Sequence, residues 1–335
     1  MTQSDERTIA VIGASGNQGS GVVSSLLSST SFNVVAISSN PSSTKAQALL
    51  ASYVKESEEG RFKLVQGDLN NRRSIEKALE GCYGLFASFA MTAKDGEEDQ
   101  ESLEVNQGKM LIDVAKECGI KHFVYSSLPS ADKLSHGRFK NVAHFESKAK
   151  IEEYAKEKLE NVTILIPGAF LSNLENSMWA KVKDDGTLSI CCPLQAETKV
   201  GWVDDRRDIG VFAAAILDRG PSVTKNKTYP VNASPLSNVE FAKLYTQISG
   251  DPAEFEPQTL EESHQVLSTA YGGAMADSLI EMFQFMDSIK HSSFAYGSGY
   301  IDGEQDTSSE DLEVKATSPE DYFKISGWRA RGSEA

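Results

Sequence analysis

Short apolar runs alternate with stretches of helical period through the first half of the chain. The runs Ile9–Ile12, Asn33–Ile37, Phe62–Gln66, Gly84–Ser88, His122–Ser126 and Val162–Ile166 have the length of buried strands. Between each pair the apolar residues recur with the spacing of one helix face, so the repeating unit is strand then helix. Units of that kind build a parallel sheet with right-handed crossovers and helices on both faces. The predicted fold class is therefore α/β, a doubly wound parallel sheet of the Rossmann type.

The second half is less regular. Asp184-Asp185-Gly186 reads as a turn leading into a strand over Thr187–Cys192, and Trp202–Asp205 followed by Val211–Leu217 reads as a return to the sheet. Helical periods then cover Asn238–Ile248, Leu260–Tyr271 and Ala276–Lys290. Gly297–Asp311, rich in Gly, Ser, Asp and Glu, reads as a mobile loop, Pro319–Trp328 as a closing helix, and Arg331–Ala335 as a frayed tail. The expected division is residues 1–170 as the sheet domain, rejoined by the chain around 198–220, and 171–335 as a smaller α+β lobe.

In doubly wound sheets ligands sit beyond the carboxyl ends of the strands. There the first run meets Gly13-Ala14-Ser15-Gly16-Asn17-Gln18-Gly19, and an amphipathic stretch follows over Gly21–Leu27. Strand, glycine turn and helix in that order leave backbone N–H groups at a helix N-terminus, where partial positive charge suits a pyrophosphate. Gly13 permits the tight turn, Gly16 lets phosphates approach the backbone, and Gly19 lets the helix pack against the strand. The spacing G-x-x-G-x-x-G points to the short-chain dehydrogenase/reductase superfamily.

Charge and cysteine usage exclude other classes. Lys and Arg number 33 against 48 Asp and Glu, a formal net charge of −15 that repels a nucleic-acid backbone. Cys82, Cys118, Cys191 and Cys192 have no metal-ligand spacing, so no metal is expected and reduced, buried thiols are. A redox switch at Cys191-Cys192 lacks any neighbour that would lower a thiol pKa. The polar start at Met1–Arg7 and the lack of a long apolar run predict a cytoplasmic chain, or one that also enters the nucleus, with no membrane contact.

The segment after the second run bears on the choice of cofactor. An acid there would hold a ribose 2′-OH and select NAD, but the chain reads Ser38-Ser39-Asn40-Pro41-Ser42-Ser43-Thr44-Lys45. Hydroxyls, Asn40 and Lys45 suit a 2′-phosphate, which favours NADP(H) over NAD(H). Asp68 ends the third run and is placed either to accept from an adenine amino group or to cap the helix starting near Asn71. Reductases of the superfamily carry Tyr-x-x-x-Lys on one helix face, where the lysine lowers the tyrosine pKa and binds the nicotinamide ribose. Here Asn141–Lys148 keeps Lys148, and His144 stands at the tyrosine position. An imidazole can serve as an acid near neutral pH, whereas a histidine with its bonds satisfied is the plain alternative. Tyr154 lies on another face, and Ser126 and Ser127 either orient a carbonyl or only satisfy the turn.

Gly13–Gly19, Ser39-Asn40-Pro41, Gln66-Gly67-Asp68, Asn106–Lys109, Val124–Ser127, Ala143–Lys148 and Pro167-Gly168-Ala169-Phe170 together resemble the NmrA-like proteins, from about residue 8 to residue 330. These are atypical relatives of the short-chain reductases. The resemblance implies a Rossmann domain with a small C-terminal lobe and NAD(P) binding. It makes Gly13, Ser15, Gly16, Asn17, Gln18 and Gly19 the pyrophosphate loop and Asp68 an adenine contact. It also places Phe89 near the middle of the cofactor, Lys148 on the nicotinamide ribose, and Pro167 to Phe170 against the nicotinamide. Members that prefer NADP(H) often have arginine where this chain has Ser39.

Two functional readings follow. In the first the chain is a redox-sensing regulator that binds NAD(P)(H) without turnover and acts on a protein partner through its acidic C-terminal region. The alternative is an NADPH-dependent reductase of a small apolar or aromatic carbonyl, quinone or imine. That reading uses Lys148, His144 and a pocket of Phe89, Phe170, Met178 and Trp179, four residues whose plain alternative is core between the lobes. A homodimer through surface helices fits either reading.

Overall fold

A computed structural model describes residues 7–89, 100–175, 179–289, 295–297, 299–301 and 305–330. Six strands lie where the apolar runs place them: β1 (Thr8–Ile12), β2 (Asn33–Ser38), β3 (Phe62–Gln66), β4 (Gly84–Ala87), β5 (His122–Ser126) and β6 (Val162–Pro167). A seventh, β7 (Thr228–Val231), comes from the second half and pairs in parallel with β6. Across the sheet the order is β7-β6-β5-β4-β1-β2-β3, and every pairing is parallel. The strand order reverses between β1 and β4, which opens the ligand crevice at their carboxyl ends.

Burial on both faces explains the unbroken apolar character of these strands. Ala10 and Ile12 of β1 join the core on one side, and Ile9 and Val11 join the core on the other. On the Ile9 side lie α1 (Asn17–Ser29), α2 (Thr44–Ser52) and α6 (Asp208–Arg219); on the Ala10 side lie α3 (Arg72–Leu79), α4 (Gln100–Glu117) and α5 (Ala143–Lys158). Helices α1 and α6 meet backbone to backbone, for a Cβ on Gly210 would stand 2.1 Å from the Gly21 carbonyl oxygen. The return of the chain to the sheet thus extends past the expected 198–220 to Val231.

The smaller lobe holds α7 (Asn238–Ser249), α8 (Leu260–Tyr271), α9 (Gly273–Ser288) and α10 (Pro319–Ser326). It also has a three-stranded sheet ordered 253–255, 188–190, 180–182. Its core is continuous with that of the main sheet: Phe145 of α5 meets Phe285 at 6.3 Å and Tyr296 at 5.2 Å between ring centroids. The segment expected to be a mobile loop is pinned at its end. Ser308–Asp311 forms a helical turn, and Asp311 accepts from Lys227 Nζ (2.6 Å), Tyr229 Oη (2.9 Å) and Thr307 Oγ1 (2.6 Å). Residues 298, 302–304 and the tail 331–335 lie outside the described residues.

Candidate dinucleotide site

The glycine turn closes as its spacing requires. Gly13 has φ +72°, a conformation open to glycine, and its carbonyl accepts from Gly16 N at 2.9 Å. A Cβ on Gly19 would lie 2.2 Å from that same carbonyl oxygen, so α1 reaches the strand end only with glycine there. A Cβ on Gly16 would meet nothing but the Gly13 oxygen, at 3.3 Å, leaving the approach open. Among the described residues no side chain caps α1, whose N-cap is Gly16, and no acid stands in its first turn. An uncapped helix N-terminus behind an open glycine turn fits an anionic diphosphate.

Side chains of the turn are anchored to distant elements. Gln18 Oε1 accepts from Ser126 Oγ at 2.6 Å, tying the turn to the end of β5. Asn17 Nδ2 donates to Asp205 Oδ2 at 2.9 Å, and the same carboxylate accepts from Ser172 Oγ at 2.9 Å. Asp205 is only 1 % exposed, so this buried carboxylate fastens the glycine turn to the start of the smaller lobe. Ser15 is half-buried within the turn.

At the carboxyl ends of β2 and β3 the structure is local. Ser39, Asn40 and Lys45 are exposed; Asn40 Oδ1 accepts from Ser42 N, and Ser43 caps α2 through Ala46 N. Asp68 Oδ1 accepts from Asn70 N at 2.9 Å, closing a small turn. The cap of α3 is Asn71, which accepts from Ser74 N, so the alternative of Asp68 as that cap is corrected. An Asx turn two residues ahead of a helix resembles a cap in sequence, and only the register of the first helical turn separates them.

The opposite end, over β4 to β6, is buried. Phe89 is 8 % exposed and sets its ring edge-on to Tyr125 at 5.9 Å. Lys148 reaches from α5 to Glu104 on α4, Nζ to Oε1 2.7 Å, both side chains being nearly buried at 9 % and 12 % exposure. Tyr125 Oη is buried with no hydrogen-bond partner among the described residues, and burial pushes its pKa well up with the Glu104 charge adding to the effect. His144 is buried too. Its Nδ1 lies 3.0 Å from Ser278 Oγ of α9, and burial, helped by the Lys148 charge, lowers its pKa to about 3. The lowered pKa favours a neutral imidazole at physiological pH, in line with the alternative of a histidine whose bonds are satisfied.

Pro167 ends β6, and its carbonyl accepts from Tyr296 Oη at 3.0 Å. Half-buried Phe170 lies in the short strand Ala169–Phe170, which pairs with Trp202–Val203. Trp179 packs into the smaller lobe against Trp202 at 5.1 Å, while Met178 lies outside the described residues. Ser127 Oγ donates to backbone carbonyls, and Tyr154 Oη donates to Asp113 at 2.8 Å, away from Lys148. Sequence reasoning did not find Glu104, Asp205 or Ser278. Each stands far along the chain from its partner, and the only signal was that a buried Lys148 needs an anion. Burial raises the Cys82 thiol pKa to about 11 and the Cys192 thiol to about 12, leaving both unreactive. Among the described residues there is no group of side chains spaced to hold a metal, and no helix long and apolar enough to cross a membrane.

Comparison with known proteins identifies the family and the fold. The model of the NmrA-like family matches residues 5–323. An NmrA-like family domain-containing oxidoreductase, malD of Malbranchea aurantiaca, is 28% identical over 75% of this chain and 75% of its own length. Among solved structures, NmrA, a negative transcriptional regulator in complex with NAD, superposes with a TM-score of 0.73 at 20% identity, covering 96% of this chain and 97% of that one. The Citrobacter sp. triphenylmethane reductase complexed with NADP(H) superposes at 0.69 with 19% identity, covering 95% and 99%.

Proposed function

The chain belongs to the NmrA-like family, and from that premise we propose that it binds a nicotinamide dinucleotide and acts as a redox-responsive regulator through protein contact. The solved relatives hold NAD in one case and NADP(H) in the other, and the open glycine turn of this chain suits the diphosphate they share. The absence of an acid over 38–45, with Ser39 and Lys45 exposed, favours NADP(H) over NAD(H).

One observation carries the regulator reading. The helix that supplies a proton in the tyrosine-bearing reductases carries a neutral, buried His144 bonded to Ser278, and its Lys148 is neutralised by Glu104. Such a site suits a cofactor and, among the described residues, sets neither a tyrosine hydroxyl nor an imidazolium at the helix position that supplies the proton. The reductase reading is favoured by the oxidoreductase relative and by the aromatic rings of Phe89 and Phe170 near the same end. Titration of NADPH and NADH by nicotinamide fluorescence, followed by carbonyl, quinone and imine panels, separates the two. Tight binding with no oxidation is expected, and turnover of any compound at about 1 s⁻¹ or faster overturns the regulator reading.

A further inference from the structure

Lys148 and Glu104 have unused hydrogen-bonding capacity in a nearly dry place. The ammonium has three N–H groups and gives one to Glu104 Oε1 at 2.7 Å, while Glu104 Oε2 has no partner among the described residues. Taking two ions out of water is costly, and their attraction compensates only when the remaining donors and lone pairs are satisfied. The pair joins α4 to α5, and Ser127 Oγ, just past β5, reaches the Lys148 carbonyl at 3.4 Å. It therefore lies toward the carboxyl ends of β4 and β5, across β1 and its glycine turn from the loops that follow β2 and β3.

We propose that Glu104 is a cofactor-binding residue, which with Lys148 clamps the cis-diol of the ribose next to the nicotinamide; this rests on the dinucleotide reading above. An ammonium only donates, so Lys148 alone can hold the diol oxygens while the hydroxyl hydrogens find no acceptor. A carboxylate beside it supplies that acceptor. One hydroxyl donates to Glu104 and accepts from Lys148, and its neighbour accepts the remaining ammonium hydrogen. The same carboxylate repels a phosphate, so this end selects a neutral polyol where a lysine alone would tolerate an anion. The two ends of the cofactor would then be told apart by charge, with the diphosphate drawn to the uncapped α1 and the ribose to the neutral ion pair.

The test uses ligands that differ by one piece: ADP, which lacks the second ribose, ADP-ribose, which has it, and the full dinucleotide, each with its 2′-phosphorylated counterpart. Calorimetric titration of wild type and Glu104→Gln should show ADP-ribose and dinucleotide weakened about tenfold and ADP unchanged within about twofold. Equal weakening of ADP, or no change for ADP-ribose, overturns the proposal. If wild type binds ADP and ADP-ribose but Glu104→Gln does not fold, Glu104→Asp is compared on the same ligands and must show the same selective loss. A wild type that binds none of them overturns the dinucleotide reading, and the clamp with it.

Discussion

The two ends of the candidate site are built differently. At the loops after β2 and β3, Asn40 bonds to Ser42, Asp68 to Asn70 and Asn71 to Ser74, all close neighbours in the chain with exposed or half-buried side chains. Over β4 to β6 the pairs are Lys148 with Glu104, His144 with Ser278 and Tyr296 with Pro167, each bringing together separate elements under cover. Water can satisfy an exposed polar group, so the first end needs only local turn chemistry. A buried polar group must find its partner wherever the fold delivers one. The glycine turn stands between, closed by its own backbone and anchored by Ser126 and Asp205.

Substitution can break this contrast. The largest effect is expected at Gly19, because a side chain there meets the Gly13 carbonyl at 2.2 Å and must push α1 off the strand. Gly19→Val should cost about 3 kcal/mol of stability and weaken NADPH more than about 100-fold, read by thermal melting and fluorescence titration. Wild-type affinity in that variant would show that the turn does not hold the cofactor.

Acid sharpens the contrast at the buried end. His144 titrates near 3 in the folded chain and near 6.5 when unfolded, so between those values the unfolded chain binds more protons. Its contribution to stability is complete above pH ~6.5 and falls as pH drops toward ~3. Buried His122, whose pKa burial lowers to about 4, acts in the same direction. Urea unfolding between about pH 4.5 and 5.5 should therefore lose about 1.4 kcal/mol per pH unit for each ring, and His144→Gln should remove one ring's share. An unchanged slope would mean an imidazolium in the folded state and would restore His144 as a proton donor.

The smallest effect belongs to the exposed end. Ser39→Arg places a cation where a 2′-phosphate is expected and should raise the preference for NADPH over NADH about fivefold, with little change in melting temperature. A shift toward NADH would place the adenine ribose elsewhere.

Much of the sheet was legible because its strands are buried on both faces. Continuous apolar runs ending in polar turns mark them, and the six expected strands match to within a residue at each end. The resemblance to the NmrA-like family, carried by the turn motifs, agrees with the family match. The strand Thr228–Val231 was missed since its run is short and interrupted by Pro230, tolerable on a sheet edge where one side needs no partner. Asp311 was read as part of a loop because nothing near it in sequence announces Lys227 or Tyr229.

By itself the sequence determined the βα repeat, the glycine turn and the loss of tyrosine beside a retained Lys148. These are matters of period, backbone freedom and residue identity, which the chain carries locally. Only the tertiary structure decided that His144 is neutral and that Lys148 is matched by Glu104. The charge state of a buried group depends on the dielectric around it and on partners drawn from other elements, and neither exists until the chain has folded.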